Sequence, residues 1–196
     1  MRPKTTLPQS EWVPVYAFAW VLLWIFPSGF WIWATLVPLV LAKQGRFPWT
    51  DLSGRFDFRR SLSGFLLASG FTWIPACLLG LLFDFWHFRW PPLSVFWGLA
   101  FGAVVEEWFF RGYLQSRLRK TWVERPFILG GAAGPAIAWN AILFALAHVP
   151  TAGISGSWFL VFPGLALAWC RSRCGNLFPG IVLHLVFNLW LLGLTD

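Results

Sequence analysis

Six or seven membrane-crossing α-helices are what this chain specifies, an all-α polytopic membrane protein. Composition is the first ground. Of 196 residues, 58% are hydrophobic and only 12% charged, at a mean hydropathy of +0.63. A water-soluble domain carries about 25% charged residues, so half that share leaves its surface without polar cover. Arrangement is the second ground: the apolar residues fall in blocks near the ~20 residues that a bilayer core requires. Charge is the third, because the basic residues collect between the blocks, as cytoplasmic loops do. Other classes drop out on the same numbers. Sixteen Trp and 21 Phe exclude intrinsic disorder. Three cysteines are too few for a disulfide scaffold. A net charge of +7 spread in this way describes membrane-surface loops, not a nucleic-acid partner.

The spans follow in order. The N-terminus, MRPKTTLPQSEW, is polar, and no small-x-small cleavage pattern marks a removable signal peptide. The first apolar stretch runs from Trp12 to Ala42 and is interrupted by Pro27-Ser28-Gly29. As one helix it would be about 45 Å long. That is too long for one straight span and short for two, so it is one kinked span or a tight pair. The second stretch, Leu62 to Phe83, should kink at Pro75. The third starts at Leu93, after Pro91-Pro92, and runs to about Leu114. The fourth starts near Pro135 and runs to His148 or a little beyond, the short fifth runs from Trp158 to Cys170, and the sixth follows Pro179 and ends near Leu192. Residues 1–92 then form N-terminal transmembrane helices, and residues 93–196 a core within the same membrane domain. There is no internal repeat. The run Trp86–Pro92 reads as an interfacial aromatic belt, with His87 as a polar tip at headgroup level.

Charge orients the spans. The segments Lys43–Ser61, Gln115–Pro135 and Arg171–Asn176 hold eleven of the fifteen basic residues. They are alternate loops, so all three face the cytoplasm by the positive-inside rule. The opposite loops hold Arg89 alone. Arg2 and Lys4 favour an inward N-terminus, which requires the first stretch to cross twice. The C-terminus then lies outside.

Ionisable residues inside a span are costly and functional by default. The third span contains Glu106-Glu107-Trp-Phe-Phe-Arg111. Glu107 and Arg111 stand four apart with the acid first, the favourable order for a helical ion pair. Glu106 points about 100° away, towards another neighbour, and is left without that partner. Gly98, Gly102 and Glu106 form a stripe at four-residue spacing where a second backbone can approach the carboxylate. The fourth span offers Asn140, Phe144 and His148 on one face, and the sixth offers His184 and Asn188. At ~1.5 Å per residue Glu106 and His184 reach similar depths, while His148 comes out about 8 Å nearer the outside. Tilt, or a break at Val149-Pro150, would close that gap. Two chemistries fit. Glu106 can act as a general base on water, with His and Asn stabilising an oxyanion. Alternatively, Glu106, His148 and His184 can hold zinc, although the HExxH signature is absent.

These groups resemble the motifs of the CPBP family of intramembrane proteases, which includes the type II CAAX prenyl endopeptidases. The family's EExxxR appears as Glu106-Glu107-Trp-Phe-Phe-Arg111, its FxxxH as Phe144-Ala-Leu-Ala-His148, and its HxxxN as His184-Leu-Val-Phe-Asn188. The similarity covers about Leu93 to Leu192. It implies a four-helix catalytic core and a glutamate protease with no required metal or other cofactor. By the same similarity Glu106 activates water with help from His148, His184 and Asn188 form the oxyanion site, and Glu107 and Arg111 hold the first Glu. The implied partner is a membrane-attached protein, prenylated or C-terminally anchored, that enters sideways from the lipid bilayer past Gly98 and Gly102. The implied location is a prokaryotic plasma membrane.

Two other readings compete. A sortase-like transpeptidase would use Cys170 as nucleophile with Arg171 and His184. A membrane immunity or scaffold protein would keep the motifs only as a folding core. In the bland reading Cys77, Cys170 and Cys174 are small apolar fillers.

Overall fold

The structure, a computed structural model, describes residues 12–25, 27–45, 48–84, 90–122 and 127–192. The N-terminal segment with Arg2 and Lys4, and His87 with most of the Trp86–Pro92 belt, lie outside these residues. The fold is α-helical apart from one two-residue hairpin that the sequence pattern did not announce.

The first apolar stretch is a tight pair, α1 (Trp12–Ile25) and α2 (Pro27–Lys43). Trp33 Nε1 donates to the Val15 carbonyl at 3.3 Å, and the Phe18 and Trp33 rings meet at 4.5 Å. A short α3 (Trp49–Ser53) leads to α4 (Phe58–Phe71) and α5 (Trp73–Leu82). Asp57 caps α4 by accepting from Arg60 N–H at 2.9 Å. The bend between α4 and α5 falls at Thr72 (φ −123°, ψ −95°), three residues before Pro75. The displacement has a steric cause: a proline ring crowds the carbonyl of residue i−4, here Phe71.

The third span is longer than its apolar pattern. α6 (Leu93–Glu107) continues without interruption into a π-helical segment, Trp108–Leu114, and then α7 (Gln115–Thr121). Strands β1 (Phe127–Ile128) and β2 (Gly131–Ala132) pair antiparallel around Leu129 and Gly130, both at positive φ. Two-residue hairpin loops require that backbone, and the Leu129 carbonyl accepts from Arg173 Nη1. α8 (Pro135–Ala147) stops at His148. The fifth span does not begin at Trp158. A separate helix, α9 (Val149–Phe159), comes first, and α10 (Val161–Cys174) leaves it at 83°. Gly175 closes α10 in the left-handed conformation (φ 76°). α11 (Phe178–Leu192) is the last described helix.

α10 is the hub, packed against α8, α4 and α11, while α11 also lies along α6. The three basic segments converge at one end of this bundle. Gly54 bridges to Asn176, Arg60 Nε donates to the Arg173 carbonyl, and Ala132 N–H donates to Ser172 Oγ at 2.7 Å. The polarity is inside out. Leu66, Phe71, Leu82, Trp97, Phe101 and Phe162 are exposed, while Glu107 and Arg111 are 0% exposed. Only a hydrocarbon solvent rewards that distribution, so this is an integral membrane protein. By length and composition two helical stretches, Phe58–Leu82 and Leu93–Thr121, suffice to cross a bilayer, and the bent α9–α10 pair makes a third. Phe30–Lys43, Pro135–Ala147 and Phe178–Leu192 are apolar but shorter. The stretches read above as six or seven spans, one of them short, are a mixture of long, bent and short helices.

Candidate active site

Glu106 and Glu107 end α6 and face different neighbours, as consecutive helical residues must. Glu107 Oε1 lies 3.1 Å from Arg111 Nη1, one turn on, and 2.9 Å from His184 Nδ1 on α11. Arg111 Nη2 donates to the Gly164 carbonyl of α10 at 3.3 Å, and its guanidinium stands 4.3 Å from the centre of the Phe144 ring. That cation–π contact, the ion pair with Glu107 and the hydrogen bond to Gly164 make the buried charge tolerable.

Glu106 is not left without a partner. Its Oε2 lies 3.4 Å from His148 Nε2 and 3.6 Å from His184 Nε2. α8 stops at His148 (φ −92°, ψ −4°), whose ring lies back along its own helix, and the contact with Glu106 is made despite the depth gap expected for a straight helix. His148 Nδ1 then reaches the Phe144 carbonyl at 2.8 Å.

These contacts fix the protons. A carbonyl oxygen can only accept, so His148 Nδ1 carries hydrogen. The Glu107 carboxylate, already paired with Arg111, holds the proton of His184 Nδ1 in the same way. Both imidazoles therefore turn Nε2 towards one oxygen of Glu106. In the neutral rings each Nε2 is an acceptor, and so is a carboxylate oxygen. The three converge on a space that asks for a proton donor, which a water molecule or a protonated partner supplies. The side chains of Glu106 and His148 are 13% and 24% exposed, while Glu106 Oε2 itself is buried.

Supporting residues appear that the motifs did not announce. A Cβ on Gly180 would stand 2.9 Å from Glu107 Oε2, so only glycine leaves α11 close enough for His184. A Cβ on Gly164 would stand 3.2 Å from Ala141 Cα, and its absence lets α10 approach α8. The π-helical segment sends Gln115 N–H to the Phe110 carbonyl, and Asn140 Nδ2 donates to that same carbonyl at 2.7 Å. Asn140 thus braces the widened turn just below Arg111. Phe144 is a hub of rings, 4.5 Å from His148, 5.7 Å from His184 and 5.1 Å from Phe110. Periodicity cannot signal a π turn, and Gly180 reads from sequence only as part of a helix start.

The remaining candidates fall elsewhere. Asn188 is half-buried one turn along α11 from His184, with no hydrogen bond among the described residues. The glycine stripe is not uniformly open. The Trp31 ring of α2 covers Gly102, where a Cβ would meet it at 3.3 Å, whereas nothing lies within 4 Å of a Cβ on Gly98. Cys170 is wholly buried with its Sγ 3.7 Å from that of Cys174, and His184 is engaged by the two carboxylates. A thiol nucleophile has neither exposure nor base there. Among the described residues no group of three or more His, Cys, Asp or Glu side chains is arranged to hold a metal ion.

The family model of the Rce1-like type II CAAX prenyl endopeptidases matches residues 88–190 of this chain, a stretch holding the whole Glu106–Asn188 cluster. Comparison with curated proteins and with solved structures finds no match.

Proposed function

The chain belongs to the Rce1-like type II CAAX prenyl endopeptidase family of intramembrane proteases, and on that footing we propose that it cleaves its substrate by a glutamate mechanism centred on Glu106. The convergence of two Nε2 atoms on Glu106 Oε2, each ring pinned through its Nδ1, is the observation that carries this reading. A water molecule entering that space gives one proton to Glu106, while its oxygen forms a bond to the scissile carbonyl carbon. His148 shares the proton and orients the water. The oxyanion faces His184, whose Nε2 donates to it as the imidazolium that the Glu107 carboxylate supports, with Asn188 one turn further on the same helix face. When the C–N bond breaks, the proton held by Glu106 passes to the leaving amine. Glu107 and Arg111 act one layer behind, the first fixing the tautomer of His184 and the second neutralising Glu107.

In this reading residues 93–196 carry the chemistry and residues 1–92 shape the approach of substrate. The substrate is membrane-attached, by a prenyl group or a C-terminal anchor, because the carboxylates lie within a lipid-facing bundle. The protein is multi-pass, in a prokaryotic plasma membrane, with its basic end in the cytoplasm. Two reporters reconstituted in liposomes test the activity, a farnesylated peptide ending in Cys-aliphatic-aliphatic-X and a single-span protein with a short C-terminal tail. Mass analysis should find one new terminus on at least one of them. Cleavage of neither by a folded preparation counts against the reading.

Because Glu106 supplies the base, activity should survive exhaustive chelation. Stoichiometric zinc whose removal abolishes turnover and whose return restores it would move the site to zinc held by Glu106, His148 and His184. Entry past the stripe is best tested at Gly98. Gly98→Leu adds bulk in open space and should slow cleavage about tenfold or more with the fold intact, whereas Gly102→Leu would push Trp31 and displace α2. Full activity in Gly98→Leu would put the entrance on another face.

A further inference from the structure

The position of His148 depends on where α8 stops, and the stop creates a debt of hydrogen bonds. The helical donor for the Leu146 carbonyl would be the N–H of residue 150, but residue 150 is proline and has none. Near a bilayer core an unpaired carbonyl cannot turn to water for relief. The His148 N–H, which bonds the Ala145 carbonyl at 3.0 Å, is shared with the Leu146 carbonyl, and a side chain supplies the second donor. Trp20 Nε1, from α1, donates to the Leu146 carbonyl at 2.9 Å. One turn away on α1, Tyr16 Oη donates to the Leu143 carbonyl at 2.5 Å. Tyr16 and Trp20 are four apart, so one face of α1 carries both donors. They bracket Phe144, whose carbonyl holds His148 Nδ1. α1 is held in place in turn by Trp33 Nε1 on the Val15 carbonyl.

We infer that Tyr16 and Trp20 are positioning residues for His148: a two-point latch from α1 fixes the end of α8 and thereby aims His148 Nε2 at Glu106. The latch lies outside residues 88–190, the part matched by the family model. It assigns the N-terminal helix a task in the reaction besides shaping an entrance. The inference rests on the proposed role of His148 for its effect on rate, but its geometric content is independent of that role.

The variants are Tyr16→Phe, Trp20→Phe and the double variant, which delete the donors; the first keeps its ring, and the second keeps an aromatic ring in place of the indole. The geometric readout is the ¹⁵N NMR spectrum of histidine-labelled protein in micelles, with His87, His148 and His184 assigned by single His→Gln substitutions. The double variant should shift or broaden the His148 Nδ1 signal and leave that of His184 in place. On a reporter the enzyme cleaves, kcat should fall about five- to tenfold with KM unchanged. If the double variant does not fold, the single variants carry the test, each with about half the effect on a logarithmic scale. An unmoved His148 signal in folded protein overturns the inference. So does a common shift of His148 and His184, which would mean general loosening. Should His148→Ala turn over at the wild-type rate, the catalytic reading of His148 fails, and the NMR signal alone still decides whether the latch exists.

Discussion

Glu106→Gln is expected to lower peptide-bond hydrolysis by about two orders of magnitude or more, with the unfolding temperature of the purified protein unchanged. The substitution keeps length and shape. Its amide can donate to His148 Nε2 or His184 Nε2, which lie 3.4 and 3.6 Å from the present oxygen. The scaffold therefore loses no partner, and only the capacity to take a proton from water disappears. Parallel melting curves and initial rates in the same detergent make the comparison. Wild-type turnover by well-folded Glu106→Gln would sink the assignment. His148→Ala should be similarly severe.

Arg111→Ala should act on the fold first. Arg111 and Glu107 are both 0% exposed, and removing the cation leaves a buried carboxylate with His184 as its remaining partner among the described residues. Breaking such a pair costs about 3–5 kcal/mol. A matching drop in unfolding free energy, measured in denaturant with detergent present, is the expected result. Replacing both members by Leu should recover much of that stability, since two apolar groups leave no charge stranded. It should not recover activity, because His184 Nδ1 would then have no carboxylate to donate to. Undiminished stability of Arg111→Ala would mean that Glu107 is neutral or solvated.

The sequence made the membrane class, the order of the apolar stretches and the Glu107–Arg111 pairing legible, because these follow from composition and from spacing along one helix. α8 and α11 are legible to within about two residues, since proline marks their starts. What it could not carry was geometry set by contacts far along the chain. The tight α1–α2 pair depends on Trp33 reaching Val15, and the bend at Thr72 reflects a clash that proline exerts four residues upstream. The π turn leaves no trace in hydropathy. Nor does Trp31 covering Gly102, which closes half of a stripe that looked uniformly thin. The partners of Glu106 were identifiable as residues but not as neighbours, because a depth calculation treats α8 as straight through His148 and the chain breaks there.

The 77-residue separation between Glu107 and His184 is also an order of assembly. A ribosome delivers Glu106 and Glu107 to the membrane early, and the Glu107–Arg111 pair can form at once within its own helix. His148 arrives later with α8, and His184 only with α11, the last described helix. Until α11 docks along α6, His184 is missing from the space in front of Glu106 and from its contact with Glu107. On the proposed roles, a protease that shares its membrane with other nascent chains is inert until α11 docks and completes the set of groups around Glu106.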